Sequence, residues 1–342
     1  MNNIKKIGLS ALAGSLAMVS ANAVDYTMSG GLTATYTTQD EPATAAKSGK
    51  GLGVATDLSF NASGELDNGF TVSYFMGVDT NGALSNTSSQ MTVGMGSLGS
   101  FHINNKAGSK ANAIDDVTPN AYNETWDGLT SVTSPSFFGA ASASGSVDYR
   151  IPAQTWEGLT VNAAVTYDPN QSTGPAANGS IDTTADSAMA MVITVASDTG
   201  LEVGAGIEIL GNTTGTNVNN DGEAVTGYIK YAYEGLSIGY QQAYMNTLNS
   251  DSGTNEGADL EAMFASVAYT MGDLTLSYGI SEYDVNAVSD TAALITEEMS
   301  SMQAAYVMGA MTVSAAMSET DNVAGITATT YNENTLSVSF AF

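Results

Sequence analysis

The stretch 334–342, "NTLSVSFAF", alternates strictly up to its last residue. Leu336, Val338, Phe340 and Phe342 share one phase, and Thr335, Ser337, Ser339 and Ala341 share the other. Side chains two apart lie on one face of a strand, so this is an amphipathic strand carrying an aromatic ring beside the final carboxylate. Chain ends are ordinarily polar and frayed. An apolar strand here needs a partner for its edge and an apolar medium for its face.

The same period runs through the chain. Phe70, Val72, Tyr74, Met76 and Val78 share a phase, as do Leu159, Val161, Ala163, Val165 and Tyr167. So do Leu201, Val203, Ala205, Ile207 and Ile209; Leu274, Leu276, Tyr278 and Ile280; and Met311, Val313, Ala315 and Met317. Ser, Thr, Gly, Asn and Gln fill the alternate positions, which is the pattern of strands with one apolar and one polar face. Seven short breakers separate many of them: "LDNG" (66–69), "GSLG" (96–99), "WEG" (156–158), "DTG" (198–200), "EG" (234–235), "MGD" (271–273) and "GA" (309–310). They are the length and composition of hairpin turns. Longer polar connections, 38–50, 169–180, 212–220 and 249–257, join the other ends. Short turns at one end and long loops at the other make an up-and-down meander, predicted to hold sixteen strands.

A soluble sandwich would hide the apolar faces, whereas a membrane barrel turns them to lipid and its polar faces to a water-filled lumen. Charged residues sit within the polar phase of strands, Asp148 with Arg150 and Glu202 with Glu208. Together with the unequal loops, this selects the transmembrane antiparallel barrel. Pairing the last strand with the first removes the sheet edges that a bilayer forbids. No stretch after residue 23 approaches the 18 consecutive apolar residues of a spanning helix.

Residues 1–23 differ from the rest. Lys5 and Lys6 precede an apolar run, and Ala21-Asn22-Ala23 ends it in a small-x-small pattern, which reads as a signal peptide. Residues 24–342 form the barrel. Removing Lys5 and Lys6 leaves six Lys+Arg against 35 acids, a net of −29 where the whole chain has −27. That balance excludes nucleic acid as a partner. The absence of cysteine excludes disulfides and thiolate chemistry. With 43% hydrophobic and 13% charged residues, the chain is no disordered acidic coil.

One connection breaks the rhythm. Residues 107–143 form a long insertion containing Tyr122, Trp126, Phe137 and Phe138. Long insertions in compact bodies are functional or disordered, and these rings give this one something to pack with. It is expected to fold into the barrel.

The signal-like start, sixteen alternating strands, extended third long loop and terminal Phe together resemble the trimeric general porins of Gram-negative bacteria. The segment "GSFHINNKAGSKANAIDDV" (99–117) is most similar to their alphaproteobacterial branch. The resemblance implies an outer-membrane, homotrimeric channel for passive diffusion of small hydrophilic solutes and ions, with the third loop narrowing the pore. It implies that Asp115, Asp116, Glu124 and Asp127 form the acidic side of the constriction. It also implies that Phe340 and Phe342 belong to a signal read by the barrel-assembly machinery. Family members set a cluster of arginines opposite the loop; here Arg150 is the only arginine.

Strand phase places the remaining charges. Phe101 and Ile103 face lipid, so His102 and Lys106 point inward, with Asn104 between them. Tyr149 likewise puts Asp148 and Arg150 inside, and Ile229 with Tyr231 puts Lys230 inside. A charge on the lipid face at mid-bilayer costs about 2–4 kcal/mol. Few wall cations against four loop carboxylates predict a cation-preferring pore, since acidic rings favour cations.

Enzyme-like signals are weak. Gly94, Gly96 and Gly99 have G-x-G-x-x-G spacing, but an alternating strand follows them rather than the helix a dinucleotide site needs. His102, the single histidine, has no nucleophile to pair with on sequence grounds. Catalysis and cofactors are not expected; calcium on Asx-rich loops is conceivable but not required, and no 12-residue calcium-loop spacing is present. The competing reading is a secreted, calcium-stabilised acidic β-protein of the surface-layer or adhesion type.

Overall fold

In the computed structural model the described residues are 25–40, 48–79, 85–127, 135, 137–139, 145–169, 187–211, 222–246, 259–285, 295–323 and 326–342. The signal-peptide reading of residues 1–23 falls outside them, as do much of the long outer connections and residues 128–134, 136 and 140–144 of the insertion. The strands are β1 (Asp25–Asp40), β2 (Gly49–Glu65), β3 (Thr71–Asp79), β4 (Ser85–Gly94), β5 (Ser100–Asn105), β6 (Val147–Arg150), β7 (Gln154–Trp156), β8 (Leu159–Asp168) and β9 (Ala188–Ser197). They continue with β10 (Leu201–Leu210), β11 (Gly222–Tyr233), β12 (Leu236–Asn246), β13 (Asp259–Met271), β14 (Leu274–Val285), β15 (Ile295–Met308), β16 (Met311–Asp321) and β17 (Thr330–Ala341).

Apart from β6 and β7, strands adjacent in sequence pair antiparallel, and β17 pairs with β1 to close the sheet. Both β6 and β7 pair with β8, so they are two halves of one stave and the barrel has sixteen. The break falls at Pro152, which has no N–H to give the ladder. The seven short breakers all lie at hairpin turns. In two of them Glu157-Gly158 and Glu234-Gly235 have positive φ at both positions, the type I′ geometry that matches strand twist. "GMGSLG" is one of these turns, with a single 3₁₀ turn at Gly96–Leu98 leading into β5.

The closing strand answers the question its sequence raises. Leu32, Ala34 and Tyr36 of β1 pair with Phe340, Val338 and Leu336, so the apolar phase of β17 continues across the seam. Phe342 extends the ladder: its N–H donates to Gly30 O and its carbonyl accepts from Gly30 N–H, both at 2.9 Å. Its ring covers Gly30, where a Cβ would lie 2.7 Å from the ring carbons. The outward phase forms an exposed apolar surface, including Val165, Met191, Ile193, Ile229, Ile238 and Val267. Toward the short-turn end it ends in Tyr149, Trp156, Tyr233, Tyr269 and Tyr306, the aromatic girdle of a membrane barrel. Such an outward surface suits lipid and not a fold that hides its apolar faces from water.

The expected uniformly polar lumen is corrected in one place. An apolar core sits inside the barrel, where Ala190, Val192, Ala224, Ala243, Ala262, Phe264 and Met299 of the inner wall meet Ile114, Phe137 and Phe138 of the insertion. Water would otherwise fill this space, so the ordinary hydrophobic effect applies, at about 1.5–3 kcal/mol for each large side chain buried.

Candidate functional site: a loop docked across the lumen

After β5 the chain turns into the barrel and runs along the inner wall from β6 to β15. Lys110 N–H donates to Asp148 Oδ2 at 2.8 Å. A short 3₁₀ turn, Asn112–Ile114, follows. Beyond it the loop lies extended, and the wall meets its peptide groups with side chains. Gln241 Nε2 donates to Ile114 O and Asp115 O, both at 2.9 Å, while its Oε1 accepts from Val117 N–H at 2.9 Å. The Ser266 hydroxyl donates to Pro119 O, and Ser277 Oγ accepts from Ala121 N–H. Gln303 Oε1 accepts from Tyr122 and Asn123 N–H at 2.9 and 3.2 Å, and its Nε2 donates to Asn123 O at 2.8 Å. The returning segment is held by Gly139 N–H donating to Glu208 Oε2 at 2.8 Å. Backbone groups out of water must be paired, and here the wall supplies what a neighbouring strand otherwise would.

Three inward glycines make room for the contact. A Cβ on Gly206 would strike the Phe138 ring, one on Gly239 would lie 2.6 Å from Pro119 Cδ, and one on Gly279 would overlap Thr125 Oγ1. These glycines stand on alternate strands, β10, β12 and β14.

The docked loop brings the four sequence-predicted acids into mutual electrostatic range. Asp116 is 7% exposed. Its Oδ1 accepts from Thr118 N–H and Thr118 O–H at 2.8 and 2.7 Å. Burial nevertheless raises its pKa, and the charge of Asp115 adds to that. Glu124 is pushed up to about 8, first by burial and then by the charges of Asp116, Asp115 and Asp127. Asp127 is raised by burial and by Asp115. The charge of Asp115 thus acts on Asp116, Glu124 and Asp127, although burial is the larger cause for each of the three.

The wall residues divide. Asp148 and Arg150 point inward, but Asp148 is fully buried and accepts from Arg150 Nη2 (2.7 Å), Lys110 N–H and Thr166. It anchors the start of the loop and its charge does not reach the lumen surface. His102 is buried beside it in register, within hydrogen-bonding distance of Thr92 and Ser100. Lys230 pairs with Glu202 at 3.2 Å and lies over the Tyr228 ring, whose hydroxyl donates to the same carboxylate. Lys106 lies just past the strand read as carrying it. β5 ends at Asn105, and Lys106 has a φ of 57° and an exposed side chain, so strand alternation does not reach it. Phe340 and Phe342 both face outward at the seam.

Sequence reasoning missed the two glutamines, the wall glycines and Lys110, whose charge acts on Glu202. Only the apolar inward phase of β13, with Leu260, Ala262 and Phe264, signalled that something covers the wall there. Among the described residues no His, Asp or Glu group is arranged to hold a metal ion, and no helix is long and apolar enough to cross a membrane.

Comparison with known proteins agrees with this architecture. The anion-selective porin from Comamonas acidovorans superposes with a TM-score of 0.66 over 94% of this chain and 100% of its own, at 11% identity. OmpF of Salmonella typhi, in complex with daunomycin, gives 0.66 at 11% identity, covering 94% and 98% of the two chains. A loop L8 deletion mutant of OmpT, an outer membrane protein of Vibrio cholerae, gives 0.62 at 15% identity, covering 94% and 100%. No curated protein sequence matches the chain. A sequence profile described as Gram-negative porin matches residues 8–296. The closed barrel, its outward apolar band and that match over most of the chain make this protein a member of the Gram-negative porin family, a channel of the outer membrane.

Proposed function

We propose that the barrel is a water-filled, cation-preferring channel for passive diffusion of small hydrophilic solutes and ions, with no enzymatic activity, working as a homotrimer. The observation carrying this reading is the cluster of carboxylates on the docked loop, while the wall cations Arg150 and Lys230 are each paired with a carboxylate. Arg150 is tied to Asp148 and Lys230 to Glu202. A narrow aqueous path beside low-dielectric protein strengthens the field of such a set, and acid-lined constrictions favour cations. The Comamonas porin is described as anion-selective, so the shared fold does not fix the sign. The side chains at the constriction must do so.

A reversal-potential measurement on the purified protein in planar bilayers, under a potassium chloride gradient, tests this. Cation preference that falls in Asp127→Asn is expected; anion preference in the unaltered channel overturns the reading. Heat-modifiable migration from trimer to monomer tests the oligomer. The outward rings of Phe340 and Phe342 support a role in recognition by the assembly machinery. Deleting Phe342 is expected to impair insertion more than it weakens the finished barrel.

A further inference from the structure

We propose that Gln241 and Gln303 are the positioning residues of the constriction, and that their side-chain amides fix where the stretch 114–123 of the acidic loop stands in the lumen. This rests on the reading of the loop acids as the selectivity element, but concerns what holds them.

The two side chains come from β12 and β15 and grip the loop on either side of Pro119. Gln241, fully buried, holds 114–117 with both ends of its amide, its two Nε2 hydrogens being shared among Ile114 O, Asp115 O and Thr226 Oγ1, the last at 2.8 Å. Gln303 holds 122–123 the same way, and its Nε2 also donates to Ser301 Oγ at 3.0 Å. The first grip fixes the backbone of Asp115 and Asp116, and the second fixes the residue before Glu124. On the loop both grips engage only the main chain, so neither consumes a carboxylate of the selective set.

The chemistry requires an amide. Each site presents carbonyl oxygens that need donors and N–H groups that need an acceptor, within reach of one planar group. Gln supplies both. Lys or Arg supplies donors alone and would neutralise the neighbouring acids. Glu in its ionised form supplies acceptors alone and turns a charge toward Ile114 O and Asp115 O, or toward Asn123 O. A protonated Glu, by contrast, restores one donor in nearly the same place.

That last point gives the test. Single-channel recordings are made on Gln303→Glu, Gln241→Glu and the unaltered protein from about pH 4 to about pH 8, a range spanning the titration of a glutamate raised by burial. At the high end each variant is expected to lose the single steady conductance level and show a noisier open state. At the low end it should regain the unaltered protein's level. Gln303→Met, similar in shape but without a polar amide, should be disturbed at every pH. Both side chains face the lumen, where substitution is tolerated by the barrel; if the Glu variants do not assemble, Gln303→Met and Gln241→Met still read the loss. Unchanged conductance and noise in the Met variants, or a Glu disturbance that pH does not reverse, overturns the proposal. Conductance and noise report loop position whatever the sign of selectivity. An anion-selective channel with pH-reversible Glu variants would therefore sink the cation reading and leave the amide grip standing.

Discussion

On β10–β15 the inward positions mix glycines, amides and hydroxyls with apolar side chains, and a loop lies on them. On β1–β4 the inward positions include Thr33, Thr35, Ser59, Asn61, Ser73 and Gln90, with no loop described against them. The first surface is built like a protein interior, with paired backbone groups and close-packed rings. The second is built like a wetted surface. A general conclusion follows: in a barrel of this width the lumen is no single environment, and polar periodicity alone does not distinguish a wall that carries a loop from one that faces water. The second wall also has a charge character of its own. Among the described residues no Lys or Arg points inward from β1–β4, since Lys50 pairs with Thr38 on the outward phase. Asp57 and Asp79 do point inward and stand directly opposite each other.

The sharpest contrast between the walls should come from removing a ring on each. Phe138 is buried against Gly206 and the apolar core, so Phe138→Ala should cost about 3–5 kcal/mol of local stability. A lower unfolding temperature and a noisier open channel are expected. Phe75, inward on β3 and only half-buried, should cost much less when cut to Ala. Equal costs would erase the distinction between the walls.

The next largest effect tests the glycine gaps. Gly279→Val places a side chain where Thr125 lies. Overpacking of this kind costs about 1–3 kcal/mol, and the loop rather than the barrel should yield, altering single-channel conductance. Gly53→Val on the loop-free wall is the matched change, since the nearest atom to its Cβ would be Thr35 O at 4.0 Å. It should leave conductance and stability unaltered.

A smaller effect concerns protons. Glu124 is held up to about 8, so in the folded protein it is neutral through the range where an unfolded glutamate is charged. The fold therefore binds a proton that the unfolded chain releases. The stabilisation this gives is present at low pH and is lost as pH rises through about 8. Charge appears on the loop over the same interval, so cation preference should step upward there. Glu124→Gln should abolish that step and flatten the accompanying fall in stability. A step that survives the substitution assigns it to another group.

Much of this molecule was legible in its sequence because a lipid-facing barrel writes its outward face with period 2. The five apolar phases, the seven turns, the closing strand and the inward insertion all followed from that pattern, and the four loop acids do come together. What escaped notice was set by contacts across the lumen. Gln241, Gln303, Gly239 and Gly279 look like ordinary polar-phase residues, and their roles depend on a loop more than 100 residues away in the chain. At Lys106 strand alternation carries no information, because β5 ends one residue before it. Pro152 splits a stave into β6 and β7 without changing the count, because both halves keep the same partner.

The smallest predicted effect lies on the loop-free wall. Asp57 and Asp79 face each other across β2 and β3, and like charges directly opposite in a sheet are destabilising by roughly 0.2–1 kcal/mol. Asp57 is exposed to the lumen, so screening by salt puts the effect at the lower end. Asp57→Asn should therefore raise the unfolding temperature slightly while lowering cation preference slightly, most visibly at low salt. The two readouts separate the roles of the pair. A stability gain with no change in reversal potential would make it a tolerated strain on a wall that ions do not sense. A selectivity loss as large as that of Asp127→Asn would mean that the permeating ion passes midway between the walls, and that the loop-free side selects as strongly as the loop.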